Sequence, residues 1–306
     1  MSVDKKENIM NRTKQRYIHT PKGYVIVDET RESRHQKRGR KPFMTPKRLV
    51  LVMLLFLMLI AQVNMPNYTG FFHAGVAATT AIFIDTLIAV LKKRKLAFPD
   101  GAAITGLIIA LVLSPMVSSY ISVLTTVIAI ASKHLFTVKK KPIFNPAAFG
   151  LLITATLFSS GQSWWGGLSM LPYWCIAFVC IAGFLVTKKV NKFPQVFSFL
   201  GIYFLIVLVM GGIGIENVGD ILRVPYINST LFLAFFMLTD PPTSLGKYKH
   251  QVIFGAITAI ASIASYMIFG GLIFLLVGIV IVNGWKVLEI SRKKKTARAS
   301  SASAAT

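Results

Sequence analysis

Ten apolar segments, separated by short polar or basic gaps, constrain this chain more than any other feature. They lie near residues 49–64, 71–91, 101–114, 118–136, 145–159, 171–187, 194–212, 226–239, 252–269 and 271–286. A helix needs about twenty apolar residues to cross a bilayer, and lipid tolerates irregular backbone only where protein or a wet cavity satisfies it. Since 54% of the residues are hydrophobic and 15% are charged, the pattern predicts an all-α polytopic membrane protein with about ten transmembrane helices.

Three of the segments, the third, fifth and eighth, are too short for an ordinary span. They are bounded by the breaks Phe98-Pro99-Asp100-Gly101, Phe144-Asn145-Pro146 and Thr239-Asp240-Pro241. A sequence echo links residues 110–115 to residues 234–241, and the two breaks fall on opposite faces of the membrane. Five segments followed by five, with matched breaks, predict two inverted five-helix repeats and a site near the midplane between them.

The formal charge of +23 lies in the tails and the short gaps. Nucleic acid is therefore not an expected partner, whereas membrane lipid is. A ten-span arrangement puts nearly all Lys and Arg on one side, which predicts a multi-pass protein of the bacterial cytoplasmic membrane with both termini cytoplasmic. The expected organisation is a basic, mostly disordered tail over residues 1–48, a ten-helix membrane domain over 49–287 and a basic disordered tail over 288–306.

The stretch from Phe235 to His250 is the most informative part of the chain. Pro241 and Pro242 remove two backbone donors, so the carbonyls near Leu238 and the nearby hydroxyls lose their helical partners. Such a break is either a cofactor, ion or substrate site or a plain helix stop at the membrane surface. The candidate site residues here and at the break before segment five are Phe144, Asn145, Pro146, Phe236, Thr239, Asp240, Pro241 and Thr243.

Two carboxylates are candidates for a proton or ion path. Asp85 lies inside the second segment, where a carboxylate is costly and usually functional, although pairing with Lys92 or Arg94 at the interface is the alternative. Asp100 opens the third segment, where capping of the helix is the competing role. No residue pattern indicates a catalytic nucleophile or a metal centre.

Several other polar and aromatic residues are expected to be structural. Trp164 and Trp165 are typical of an interfacial aromatic belt. His134 and His250 adjoin basic loops and are expected at the surface, and the two cysteines, Cys175 and Cys180, are expected to be packing residues.

Three sets of motifs resemble the RnfD/NqrB family, which comprises the D subunit of the Rnf electron-transport complex and the B subunit of the sodium-translocating NADH:quinone reductase. The motifs are residues 106–111 ending in Ser114-Pro115, residues 132–136 running to 144–150, and residues 235–241 followed by Gly255-Ala256. The similarity covers roughly residues 42–270. It implies a urea-channel-like ten-helix fold that carries flavin as a one-electron relay in an ion-coupled redox complex.

The chain departs from that family at the flavin-acceptor sequences. Members attach FMN to a Thr in an outward loop, but the corresponding residues 159–169 contain no Thr. A second acceptor sequence aligns with residues 227–230 and keeps only Ser229 and Thr230. The resemblance therefore implies a divergent, stand-alone relative in which FMN or riboflavin binds noncovalently at the broken helix ends, with Thr230 as a further contact, and covalent FMN is not expected.

Two functions from different classes follow. The first is a membrane component, a candidate subunit of an oxidoreductase, that relays electrons through flavin to an outward acceptor such as an extracytoplasmic flavoprotein, with a quinol among the candidate donors. The second is a channel or transporter for a small neutral solute or for flavin itself. A fold alone does not choose between them.

Overall fold

The computed structural model describes residues 15–20, 23–28, 44–63, 68–94, 98–138, 141–215 and 218–303. The chain divides into two units, Met1–Thr45 and Pro46–Thr306. In the first unit, β1 (Gln15–Thr20) pairs antiparallel with β2 (Gly23–Asp28). This hairpin lies inside the tail for which the sequence predicts disorder, and its aromatic and β-branched residues are good strand formers. The rest of the tail up to residue 43 lies outside the described residues.

The second unit contains ten α-helices among its described residues, one for each predicted apolar segment. They are α1 (Pro46–Gln62), α2 (Thr69–Leu91), α3 (Asp100–Val112), α4 (Ser119–Leu135), α5 (Pro146–Phe158), α6 (Ile176–Val190), α7 (Phe193–Gly212), α8 (Val224–Phe232), α9 (Tyr248–Phe269) and α10 (Phe274–Ser303). A two-residue strand pair, β3 (Thr137–Val138) and β4 (Lys141–Pro142), follows α4. The predicted helical class is confirmed.

Helix length divides the set into long and short members. Among the described residues, four helical stretches are long and apolar enough to cross a membrane: Thr69–Leu91, Tyr173–Val190, Phe193–Gly212 and Tyr248–Phe269. The apolar helices Asp100–Val112, Ser119–Leu135, Pro146–Phe158 and Val224–Met237 are shorter. The third, fifth and eighth predicted segments are thus short helices, as their proline-containing breaks indicate.

Glycines let neighbouring helices approach closely. A Cβ added to Gly106 of α3 would lie 2.6 Å from the Ala77 carbonyl oxygen of α2, and one added to Gly150 of α5 would lie 2.6 Å from the Thr125 carbonyl oxygen of α4. Backbone contacts of this kind are typical of membrane helix bundles, where dispersion and polar contacts take the place of the hydrophobic effect.

The loop of residues 159–172, called the Trp164 loop, connects α5 to the short turn before α6 and folds into the protein. Trp164 and Trp165 are fully buried, so the predicted belt role for this pair is wrong. Trp165 Nε1 donates to the Ala110 carbonyl at 2.6 Å, and the Trp164 amide donates to the Val112 carbonyl at 3.0 Å. The two residues therefore close the open end of α3, whose last carbonyls have no partners within the helix.

The last helix extends beyond the boundary at residue 287 that the sequence predicts. α10 runs to Ser303 through a segment rich in Lys, Arg and Ala. These residues favour helix, so the backbone continues where apolar burial no longer requires it.

Candidate functional site

The C-terminal end of α8 changes geometry before the double proline. After Phe232 the helix widens into a π-helical turn over Leu233–Met237, and the Leu238 amide donates to the Leu233 carbonyl at 2.8 Å. Residues 232–239 are buried. Such turns are rare and frequently occur at functional positions. Residues 238–246, which follow, are called the Asp240 loop.

Side chains from four other regions supply the donors that the Asp240 loop and the last turn of α8 require. Each of five backbone carbonyls accepts a side-chain hydrogen bond. The pairs are Asn145 Nδ2 to Met237 (3.1 Å), Gln195 Nε2 to Leu238 (2.7 Å), Lys286 Nζ to Pro242 (2.9 Å), Asn283 Nδ2 to Thr243 (3.5 Å) and Lys192 Nζ to Leu245. The protein itself thus satisfies most of the polar backbone that the helix break exposes.

Asn145 joins the two predicted breaks. Its side-chain oxygen accepts from the Ala148 amide at 3.1 Å and caps α5, while its Nδ2 holds the Met237 carbonyl of α8. The backbone amide of Asn145 donates to Asn283 Oδ1 at 2.7 Å. The structure therefore brings Asn145-Pro146 and the end of α8 together, and the Asn145 side chain connects them by accepting at one break and donating at the other.

Asp240 organises the loop from within. Thr243 Oγ1 donates to Asp240 Oδ2 at 2.9 Å, and the Ser244 amide donates to the Asp240 carbonyl at 3.0 Å. Burial raises the pKa of the Asp240 carboxyl, against the opposing effects of the Thr243 hydrogen bond and of the positive charge on Lys286.

Lysines from several helices gather at this end of the bundle. Lys47 and Lys133, besides Lys286, also act electrostatically on Asp240. Burial lowers the pKa of Lys192 to about 8, and the Asp240 charge acts in the opposite direction. Since these lysines come from α1, α4, α10 and the α6–α7 loop, the basic residues of distant segments lie at one face, as the charge pattern predicts.

Of the remaining predicted residues, Pro241 is exposed and the others pack within the protein. Phe144 stacks on Phe149 with ring centroids 5.3 Å apart, and Phe236 packs on Phe232 at 5.1 Å. Thr239 Oγ1 donates to the Phe235 carbonyl at 2.6 Å. Thr230 lies on α8 itself, roughly 13 Å along the axis from Thr239, so it does not belong to the Asp240 loop.

A cavity of about 520 Å³ lies at the opposite ends of α5 and α8. It is lined by Ala155, Ser159, Ser160, Gln162, Tyr226, Phe269, Gly270, Gly271, Leu272 and Ile273. Ser160 Oγ is buried and has no hydrogen-bond partner among the described residues. Two glycines, Gly270 and Gly271, have φ of +62° and +57°, values that few other residues adopt. This Ser160 cavity was not predicted; the Gly-Gly pair was the only signal for a tight turn there.

Two buried hydroxyls lie behind the cavity. Thr230 follows Tyr226 by about one helical turn, so both residues share a face of α8. The hydroxyls of Thr230 and Tyr203 interact with each other but lack the geometry of a full hydrogen bond. Thr230 is therefore close to the Ser160 cavity rather than to the break with which the sequence grouped it.

The two candidate ion-path carboxylates have different surroundings. Asp85 Oδ1 lies 2.9 Å from Lys133 Nζ and 2.8 Å from His134 Nε2, so its partners are on α4 and are not Lys92 or Arg94. His134 is 13% exposed, which corrects the prediction that it is a surface residue. Asp100 is the first residue of α3, and the capping position before it is held by Pro99, which makes no side-chain capping hydrogen bond.

Sequence comparison covers the first five helices. Residues 32–171 match the pattern of the NQR2, RnfD, RnfE family. Over these residues the chain is similar to that family. Family members are membrane subunits of ion-translocating redox complexes. No curated protein matches the chain.

The family match separates the molecule into two parts. It includes Asp85, Asn145 and most residues of the Trp164 loop, and it confirms the resemblance over residues 42–171. The Asp240 loop and Tyr226 lie beyond it. The contact between Asn145 and Met237 therefore connects the matched part of the chain to the part that the family pattern does not reach.

Proposed function

We propose that the chain is a membrane-embedded electron-transfer component that relays electrons through a noncovalently bound flavin to an acceptor on the outer face, coupled to ion movement. The match over residues 32–171 supports this proposal, because the matched family consists of membrane subunits of ion-translocating redox complexes. An extracytoplasmic flavoprotein is the expected acceptor, and a quinol is a candidate donor. Asp85 and Asp100 are the candidate residues for the ion.

The proposed topology has ten membrane spans, two inverted five-helix repeats of the urea-channel kind and both termini cytoplasmic. Its support is the set of lysines from α1, α4, α10 and the α6–α7 loop that lies near Asp240 at one end. In a background without Cys175 and Cys180, Gly214→Cys should react with an impermeant thiol reagent on intact cells, whereas Lys189→Cys should not. Labelling at Lys189 would contradict the topology.

The Ser160 cavity is the proposed flavin site. Its volume lies within the usual range of roughly 300–1,000 Å³ for ligand pockets. Tyr226 lines it, with its ring stacked on Phe274 at 6.3 Å on the protein side. The Ser160 hydroxyl is a buried polar group that lacks a partner among the described residues. When bound, the flavin would supply one-electron chemistry, and these residues would orient its ring and exclude water from one side.

The sequence predicts the flavin site at the Asp240 loop, but the polar backbone of this loop is mostly satisfied by the protein. Its carbonyls already accept hydrogen bonds from the protein, and the Phe144 and Phe236 rings pack on other phenylalanines. We therefore propose that the loop holds the two halves of the bundle together. Asp240 then stabilises the folded protein and does not contact flavin.

A spectrum of the purified protein tests the function. We expect flavin absorbance that leaves the protein on denaturation, and no fluorescent band at the mass of the chain in a denaturing gel. A fluorescent band would show covalent FMN. If the protein contains no flavin and binds neither FMN nor riboflavin on titration, the redox proposal falls, and the solute channel or transporter takes its place.

A further inference from the structure

Two polar contacts join α2 and α4 at different depths. His73 Nδ1 lies 2.7 Å from Ser122 Oγ, and Asp85 Oδ1 lies 2.8 Å from His134 Nε2. Both pairs are separated by 49 residues in sequence, so the two helices run parallel in constant register. His73 and Asp85 are twelve residues apart, which corresponds to about 18 Å along α2. The two contacts thus bracket over half of a bilayer core.

Further hydroxyls extend from each contact along α4. Thr125 and Thr126 are fully buried next to Ser122, and Thr125 Oγ1 donates to Thr154 Oγ1 of α5 at 3.0 Å. At the other contact, Ser132 is buried beside Lys133. Polar side chains within membrane helices are costly and usually mark an ion or proton route.

An apolar cluster lies between the two polar groups. Ala81 of α2, Ala102 of α3 and Ile130 of α4 are fully buried and pack together. Ala81 precedes Asp85 by one helical turn, and Ile130 follows Thr126 by one turn. This cluster, the Ile130 plug, separates the hydroxyls near His73 from the ion pair of Asp85.

The competing explanation is that the hydroxyls only connect helices. Thr126 Oγ1 does donate to the Ser122 carbonyl at 2.7 Å, as small polar residues in membrane helices commonly do. Helix association, however, does not require an imidazole at one end and a carboxylate with a second imidazole at the other. Imidazoles take up and release protons near neutral pH or on small shifts from it, and a carboxylate stabilises a protonated imidazole beside it.

We propose that the α2–α4 interface is a proton path, with Asp85 and His134 as the exchange groups at the lysine-rich end and His73 at the opposite end, closed in this conformation by the Ile130 plug. A proton enters at one end for each that leaves at the other, so no oxidant or reductant is consumed. Imidazole nitrogens bind protons but not sodium, which prefers oxygen ligands as hard cations do. The path deepens the proposed ion coupling, while its geometry does not depend on flavin.

Flavin-free protein in liposomes provides the test. A potassium diffusion potential drives protons, and a trapped pH-sensitive dye reports their flux. Ile130→Ser places a hydroxyl in the plug and should raise the flux roughly tenfold, the effect of a barrier lowered by about 1.4 kcal/mol. Ile279→Ser is the matched control, since Ile279 is 1% exposed in the core of α10, far along the chain from the interface. Ala81→Ser is the second opening variant where Ile130→Ser does not fold.

Second substitutions locate the path. Adding His73→Phe or Asp85→Asn to the opening variant should return the flux to the wild-type level. Equal flux in Ile130→Ser and Ile279→Ser, or a gain that survives both second substitutions, would overturn the proposal. So would a gain that requires sodium in place of choline in the buffer. Because the liposome assay contains no flavin, a negative flux result would not contradict the redox proposal. Equally, the absence of a flavin spectrum would not contradict the proton path.

Discussion

The Asp240 loop and the Ser160 cavity occupy opposite ends of α8 and differ in how their polar groups are satisfied. At the loop, side chains of Asn145, Gln195 and Lys286 donate to the carbonyls that the helix break leaves open. At the cavity, the Ser160 hydroxyl has no partner among the described residues and adjoins about 520 Å³ of open volume. Ser244 Oγ of the loop also lacks a partner among the described residues, so the two regions differ in the open volume beside the unmet hydroxyl. A helix end therefore marks a ligand site where an unmet polar atom adjoins open volume.

The same lesson applies to the break at the end of α3. The Ala110 and Val112 carbonyls accept hydrogen bonds from the Trp164 loop, just as the end of α8 accepts them from Asn145. Both broken helices are closed by protein. The comparison thus predicts that substitutions at the closed breaks change stability, whereas substitutions at the Ser160 cavity change ligand binding.

The largest expected loss of stability follows Asn145→Ala. The change removes the cap of α5 and leaves the buried Met237 carbonyl without its donor, which together should cost roughly 3 kcal/mol of unfolding free energy. Thermal unfolding in detergent measures it. Thr156→Ala, an exposed position on the same helix, should change stability by less than about 0.5 kcal/mol. Loss of flavin from Asn145→Ala without loss of stability would break the distinction between the two regions.

Much of the fold was predictable because helix formation and membrane burial leave local signals. All ten apolar runs became helices, and the meeting of Asn145-Pro146 with the end of α8 followed from matching proline-containing breaks. The burial of Trp164 and Trp165 was missed because the adjacent serines and glycines indicate only a loop. The partners of Asp85 and the Ser160 cavity were missed because they depend on which helices pack together, which sequence spacing does not specify.

A smaller change should appear in the pH dependence of stability. The pKa of Lys192 falls from 10.5 to about 8 in the folded protein, so the unfolded chain binds more protons between these values. The contribution of Lys192 to stability should therefore rise as the pH increases from about 8 to 10.5. Melting temperatures across this range should rise more steeply for the wild type than for Lys192→Met. The exposed Lys189→Met is the control and should keep the wild-type slope.

The smallest effect is expected at the other closed break. Trp165→Phe removes the donor to the Ala110 carbonyl and part of a buried ring, which together should cost about 2 kcal/mol. Chemical unfolding in detergent compares it with Trp174→Phe, where the side chain is exposed and no measurable change is expected. If both substitutions have the same effect, the hydrogen bond to Ala110 does not stabilise the end of α3.

A flavin titration tests the central claim most directly. Quenching of FMN and riboflavin fluorescence is measured with the wild type, Tyr226→Leu at the Ser160 cavity and Asp240→Ala at the loop, each with its melting temperature. We expect the wild type to bind flavin, Tyr226→Leu to weaken binding at least about tenfold at similar stability, and Asp240→Ala to melt earlier while keeping its affinity. Loss of binding in Asp240→Ala at unchanged stability, with Tyr226→Leu unaffected, would contradict the account and place the flavin at the helix break.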